Sequence, residues 1–136
     1  MGQQQLLIIV IGLIIVALAV AVGITMFVDQ AISSNRDSLS AELIGLASRA
    51  RQYYRRPIAL GGGGGSFEGL TPDQAGFSKL SAKPDNANGH FEIVAPGGTA
   101  DAVMLKGVGM ELVNSTDRVT LTAEVRPDTI IVVVVH

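Results

Sequence analysis

LLIIVIGLIIVALAVAVGITMFV occupies residues 6–28 and contains no charged residue. A helix rises about 1.5 Å per residue, so this run is long enough to cross the hydrocarbon core of a bilayer, which is about 30 Å thick. No Lys or Arg precedes the run, so it lacks the basic flank that usually orients an inserted segment. The run therefore predicts a helix that needs either lipid or other apolar helices around it.

The opening residues 1–5 do not have the pattern of a secretory signal peptide, which has a basic start and a shorter apolar stretch of about 7–15 residues. Small residues inside the run imitate a cleavage site, but the apolar pattern continues to Val28, so we expect the segment to be retained. A short basic leader could have been removed before Met1. Alternatively, Gly2 is the last leader residue and Gln3 is the mature N-terminus.

Composition limits the classes of function. The 136 residues leave room for one small domain after the apolar run. The net charge of −2 gives no electrostatic footprint for nucleic acid. Cysteine is absent, which excludes disulfides, thiolate zinc sites and a cysteine nucleophile.

Helical periodicity continues beyond the apolar run. Apolar residues recur at spacings of three, four and seven, which places them in one stripe along a helix. They are Ile32, Leu39, Leu43, Leu46, Ala50 and Tyr53. Pro57 cannot continue a helix and disfavours helical geometry in the residue before it. We therefore predict one helix from about Gln4 to Arg55 within a first segment, residues 1–56, whose residues 1–28 are apolar all round and whose residues 29–56 are amphipathic.

Two glycines, Gly12 and Gly23, interrupt the apolar half of this helix. Each costs about 1 kcal/mol of helix propensity relative to alanine. They are typical of a small-residue face for close helix packing in membranes. They are equally typical of a place where the helix can stretch or locally melt, and both interpretations stay open at this point.

A run of five glycines, Gly61–Gly65, follows the helix and predicts a hinge or loop. A phosphate cradle is not expected, because no Lys-Ser/Thr pair follows the glycines and no strand precedes them. Residues 57–89 form a glycine-rich loop region that is mostly irregular. Within it, residues 72–75 (Pro-Asp-Gln-Ala) can begin one short helical turn.

Alternation with a period of two begins near His90 and predicts an antiparallel β-sheet over residues 90–136. The four predicted strands are Phe91–Ala95, Ala102–Val113, Arg118–Val125 and Thr129–Val135. Gly107 and Gly109 indicate a bulge or bend in the second strand. The last strand is a continuous β-branched run, which favours burial on both of its faces.

The apolar face of such a sheet needs cover, and the long helix is the element available for it. The stripe residues Leu39, Leu43, Leu46 and Tyr53 are expected to provide the helix–sheet packing. The predicted fold class is therefore α+β, a long N-terminal α-helix whose C-terminal half packs on a small antiparallel four-stranded β-meander.

The string QLLIIVIGLIIVA at residues 5–17 resembles the opening of a type IV pilin or of a type II secretion pseudopilin. In that family a dedicated prepilin peptidase removes a short basic leader that ends in Gly. The new N-terminus is often methylated, and a Glu-Leu-Leu-Ile-like string opens the apolar helix. The resemblance covers residues 1–56 by pattern and residues 57–136 by architecture alone. If Gln5 aligns with the family's Glu, Met1 is the mature first residue.

Three positions depart from the family pattern. Gln5 stands where the family has Glu, and Met1 or Gln3 stands where the first mature residue is usually Phe. A helix-kinking Pro is common midway along the family's apolar stretch, where this chain has Val22 or Gly23. These departures fit a minor subunit or a divergent branch of the family.

The resemblance implies a physical role for Gln3, Gln4 and Gln5, which we call the glutamine triplet. The family's Glu is thought to pair with the N-terminal amine of a neighbouring subunit, whereas Gln5 is neutral and offers an amide oxygen to that amine. The triplet could form a polar collar between stacked helices, or it could lie at a membrane interface. The residues expected to assemble a filament core are Gln3, Gln4, Gln5, Leu6, Leu7, Ile8, Gly12 and Gly23.

The sequence offers little that is typical of a catalytic or metal-binding site. His90 and His136 are the two histidines, and they do not have metal-ligand spacing. His90 follows an Asn-Gly pair and is expected in a solvated loop. Residues 85–88 (Asp-Asn-Ala-Asn) offer fewer oxygens than a calcium loop needs. We expect no enzyme activity, no cofactor and no metal.

Two further features suggest contacts at the surface. Arg49, Arg51, Arg55 and Arg56 complement the dipole at the helix C-terminus, and they could also form charge contacts with acidic loops of neighbouring subunits. Asn114 opens an Asn-Ser-Thr triplet, which is a candidate glycosylation site.

The resemblance implies a major structural subunit of an extracellular, type IV pilus-like filament. The subunit would be anchored in the inner membrane before assembly, and its partners would be other copies of itself, the prepilin peptidase and the assembly machinery, with no nucleic acid in the filament. The alternatives are a type II secretion pseudopilin and a bitopic membrane-anchored protein with a small binding domain.

Overall fold

A long helix carries a small antiparallel sheet on its C-terminal half in the computed structural model, which describes residues 2–136. The assignment of Met1 as the mature first residue lies outside the described residues. The helical elements are α1 (Gly2–Arg55), a 3-10 turn (Ile58–Leu60) and α2 (Gln74–Phe77). The strands are β1 (Asp85–Asn86), β2 (Gly89–Ile93), β3 (Val103–Leu112), β4 (Arg118–Val125) and β5 (Ile130–Val134).

The predicted long helix is confirmed, since α1 runs from Gly2 to Arg55 over about 80 Å. The glycine run that follows α1 folds back onto the last turn of the helix. The Gly63 N–H donates to the Tyr53 carbonyl oxygen and the Gly65 N–H donates to the Tyr54 carbonyl oxygen, each over 2.8 Å. These bonds satisfy carbonyl groups that a helix end otherwise leaves unpaired. The predicted loop is therefore also a C-terminal cap.

Glycine is required within this cap by close backbone approach. A β-carbon at Gly63 would lie 1.9 Å from the carbonyl oxygen of Ser66 and 2.9 Å from Cε1 of Tyr53. No side chain fits in that space without moving the loop.

The sheet has the order β1-β2-β3-β4-β5, and every neighbouring pair is antiparallel. The α+β class and the meander are confirmed, but the sheet has five strands and not four. The additional strand, β1, contributes two residues that pair with Gly89 and His90. A strand of two residues shows no alternation, so its sequence gives no strand signal. His90 consequently lies in β2 and not in a loop, although it is exposed.

The prediction that the last strand is buried on both faces is wrong. β5 is an edge strand, and Ile131 and Val133 keep 44% and 53% of their surface exposed. A run of β-branched residues predicts a β-strand, but the burial of that strand depends on how many layers cover the sheet. Here α1 covers one face of the sheet, and no described strand lies beyond β5.

The core lies between α1 and the inner face of the sheet. Alternate residues of β4 point inward, and Leu121 and Ala123 meet Leu39 and Leu43 in a cluster that excludes solvent. The predicted irregularity in β3 is confirmed, because its register against β4 shifts between Val108 and Leu112.

The loop region adds four large side chains to this core: Phe67, Leu70, Phe77 and Leu80. The helical turn predicted to begin at residues 72–75 is confirmed as α2, two residues further along. Asp73 is its N-cap and accepts from the Gly76 N–H over 3.0 Å. The Thr71 hydroxyl also donates to this carboxylate and is the main reason that the pKa of Asp73 is lowered, with the Gly76 N–H second.

Candidate functional site

The principal candidate site is the N-terminal half of α1, residues 6–28, which we call the apolar stem. Seventeen of its large apolar side chains are exposed, with exposed fractions between 44% (Val10) and 79% (Phe27). α1 is long and apolar enough to span a membrane by length and composition, with a mean hydropathy of 3.3 in its most apolar window. None of the residues in that window is buried by the rest of the described subunit.

Exposure on this scale is unfavourable in water. Burying one large apolar side chain is worth roughly 1.5–3 kcal/mol, so covering the whole apolar stem is worth on the order of tens of kcal/mol. Monomeric soluble proteins rarely expose a contiguous apolar surface larger than a few hundred Å². The apolar stem is therefore an apolar surface that the described part of the subunit leaves uncovered.

Gly12 and Gly23 have no packing role within the described part of the subunit. A β-carbon at either position would meet nothing within 4 Å. Close to Gly23, the Thr25 hydroxyl donates to the Val22 carbonyl oxygen over 2.8 Å, a local bond that slightly weakens the regular helical ladder. Any packing advantage of these glycines must therefore come from another chain, and local softening of the helix remains the alternative.

The glutamine triplet lies on the first turn of α1. Gln3, Gln4 and Gln5 are exposed, as are the adjoining Leu6, Leu7 and Ile8. Across residues 2–136, none of the three amides forms a side-chain hydrogen bond, so their donors and acceptors are available to water, lipid headgroups or another chain. The polar collar stays a prediction.

The four residues expected at the helix–sheet interface are all buried. Leu39, Leu43 and Leu46 lie in the main core. Tyr53 is buried mainly against the loop region, where a β-carbon at Gly69 would overlap its hydroxyl group. The Lys79 Nζ lies 5.5 Å from the centroid of the Tyr53 ring, a distance that permits a cation–π contact.

The four arginines at the end of α1 divide into two pairs. Arg49 donates to the Leu80 carbonyl oxygen over 3.0 Å, and Arg51 donates to that of Pro127 over 3.1 Å. These two guanidinium groups therefore bind loops of their own subunit. Arg55 and Arg56 are exposed, and they are the pair that is better placed for a neighbouring subunit. The role of all four between subunits stays a prediction.

Asn114 lies in the exposed turn between β3 and β4. Its Nδ2, the atom that would carry a sugar, donates to the Asp117 carboxylate over 2.8 Å. Its Oδ1 accepts from the backbone N–H groups of Thr116 and Asp117. The side chain stabilises the turn, and its modification stays a prediction.

The remaining polar groups of residues 85–90 form local contacts at the surface. His90 Nδ1 lies 2.6 Å from the Asp85 carboxylate on the exposed surface. Asn86 Oδ1 accepts from the N–H groups of Asn88 and Gly89, so the Asp85–Asn88 segment uses an oxygen to close its own turn. In the described ranges, no three His, Cys, Asp or Glu residues cluster as metal ligands would.

A groove that the sequence did not predict lies between α1 and the loop region. It encloses about 430 Å³ and is lined by charged residues of both signs, among them Glu42, Arg49 and Lys83. Periodicity cannot reveal such a groove, because its two walls are far apart in the sequence. It lies on the sheet half of the subunit and does not include the apolar stem.

No protein-family model, no curated protein and no solved structure matches this chain.

Proposed function

We propose that the chain is the major structural subunit of a type IV pilus-like extracellular filament. The apolar stems of many copies bundle into the filament core, and the sheet domains form its outer shell. Before assembly, the same stem anchors the subunit in the inner membrane. The proposal includes no catalytic step and no cofactor. A prepilin peptidase and an assembly machinery are the partners that it implies.

One observation supports this proposal most strongly: α1 has two halves with separate roles. Its C-terminal half buries Leu39 and Leu43 completely against the sheet, whereas its N-terminal half contributes nothing to the core of its own subunit. A fold that needed only the sheet domain could begin its helix near Ile32, the first buried residue of α1. The additional turns are therefore best explained by an environment outside the subunit.

The energetics of assembly follow from this environment. Moving an apolar helix from lipid into a helical bundle changes its hydrophobic energy little, because lipid tails are as apolar as leucine. Packing at small residues and polar contacts must then favour the bundle over the membrane. Gly12, Gly23 and the glutamine triplet supply both kinds of contact, and none of them is used within the described part of the subunit.

Electron microscopy of sheared surface material, combined with mass spectrometry of the N-terminal peptide, tests the proposal. We expect filaments of this chain whose first residue is Met1 or Gln3, with or without a methyl group. Short periplasmic assemblies without surface filaments would favour a secretion pseudopilin. Protein that stays monomeric after detergent extraction and never forms fibres would favour a bitopic, membrane-anchored binding domain.

A further inference from the structure

Two charged residues remain without an ion-pair partner at the base of the apolar stem. Asp29 and Arg36 are the only charged residues between positions 2 and 36. Asp29 is exposed and Arg36 is half-buried. The ion pairs found in the described chain join other residues, and the buried Nε of Arg36 has no hydrogen-bond partner there.

The two charges cannot satisfy each other within one subunit. They are seven residues apart, so they are separated by about 10.5 Å along the helix axis. Seven residues also make almost two full turns, so both lie on the face that carries the buried stripe from Ile32 to Leu43. Asp29 lies almost one turn before Ile32, the first buried residue of that stripe. The sheet of its own subunit therefore does not cover this face of the helix at Asp29.

We infer that Asp29 of one subunit pairs with Arg36 of a neighbouring parallel copy, an inference that rests on the proposed function. A copy displaced by seven residues along the helix axis brings its Arg36, at the rim of its sheet domain, level with Asp29 of the first copy. The guanidinium N–H groups then donate to the carboxylate, and both charges are paired as the apolar assembly excludes water. A buried charge without a partner is strongly destabilising, so this pairing selects the displacement.

The same two charges disfavour an arrangement in which parallel copies are not displaced along the helix axis. With no displacement between parallel copies, Asp29 lies level with Asp29 and Arg36 with Arg36, and like charges repel. No described charge in the apolar stem itself can set the register, because Gln5 and all its neighbours up to Val28 are neutral. The Asp29–Arg36 pair is therefore the polar contact that fixes how far adjacent copies are displaced.

The test uses the full chain in its own host and measures filament yield by sedimentation of sheared surface material. Asp29→Asn and Arg36→Gln should each lower filament yield by about tenfold. The exchange variant, with Asp29→Arg and Arg36→Asp in one chain, should restore the yield to within about twofold of wild type. Asp37→Asn is the matched control, because Asp37 is an exposed carboxylate on another face of α1, and this variant should assemble normally.

Folding is separated from assembly by thermal unfolding of each detergent-extracted subunit. A general loss of folding cannot account for rescue by charge exchange, and Asp29→Asn changes an exposed site where no folding loss is expected. The ion pair alone is overturned if wild type forms filaments and the single variants give the wild-type filament yield. It is also overturned if the exchange variant yields no more filament than the single variants. Wild-type protein that never assembles would contradict the proposed function and this inference together.

Discussion

The side-chain oxygen of Asn35 occupies the space that a β-carbon at Gly109 would need: the two positions are 1.9 Å apart. The amide nitrogen of Asn35 donates to the Asn88 carbonyl oxygen over 3.0 Å, which holds the side chain in place. Helix and sheet therefore approach each other closely at a position in β3 that only glycine can occupy without movement of Asn35.

Gly109→Ala should consequently destabilise the subunit by about 1–2 kcal/mol, because the added methyl group forces Asn35 away from its partner. The measurement is urea or thermal unfolding of the detergent-extracted chain. Gly45→Ala is the matched control, since a β-carbon there meets nothing within 4 Å and lies in α1. That control should be neutral or stabilising by up to about 1 kcal/mol, and equal losses in both variants would contradict the close approach.

Leu43→Ala should cost about 2–5 kcal/mol of unfolding free energy, because it leaves a cavity where a fully buried side chain joins helix and sheet. The adjacent Ile44 keeps 47% of its surface exposed, so Ile44→Ala should change stability by no more than about 0.5 kcal/mol. Near-ultraviolet circular dichroism during denaturation measures both variants. A similar effect at both positions would show that the stripe is not the face that packs on the sheet.

Acid should weaken the N-cap of α2 in a defined pH range. The pKa of Asp73 is lowered, first by the Thr71 hydroxyl and then by the Gly76 N–H, because both donate to the ionised carboxylate. A lowered folded-state pKa means that the contribution to stability is complete above the unfolded-state pKa and is lost as pH falls through the folded-state value. Asp73→Asn should therefore be less stable than wild type at neutral pH, and the difference should shrink as the solution is acidified below the usual aspartate range. A difference that is constant with pH would contradict this role.

Gln5→Leu should impair filament assembly more than it impairs folding. Gln5 makes no side-chain hydrogen bond within residues 2–136, so its loss should leave the unfolding temperature of the subunit unchanged. The amide would be missing, however, from any polar collar between stacked stems. Ile9→Leu serves as the control, since it alters an exposed apolar side chain of the same stem without a polar group. Normal filament yield from Gln5→Leu would count against the collar.

The elements that could be predicted are those with a sustained period. The stripe from Ile32 to Tyr53 predicted both the helix and its buried face, because spacings of three and four leave few alternatives over so many turns. The alternation in β4 likewise predicted which of its residues face the core. The exposed apolar stem followed from composition, since no remaining segment of the chain could cover it.

The features that escaped prediction depend on tertiary contacts. Phe67 and Leu80 enter the core from an irregular segment, where no period marks an inward face. β1 is too short to alternate, and the exposure of β5 depends on its position at the sheet edge and not on its residues. The carbonyl partners of Arg49 and Arg51 are provided by loops distant in sequence, so composition could indicate only that these residues are basic.

The central claim is that the apolar stem ends up enclosed by the stems of other copies. A cryo-electron microscopy reconstruction of sheared surface material tests it most directly. The account predicts that residues 6–28 lie at the centre of a filament, with Leu6 to Val28 in contact with side chains of neighbouring stems. A particle in which these residues contact only lipid or detergent would contradict it.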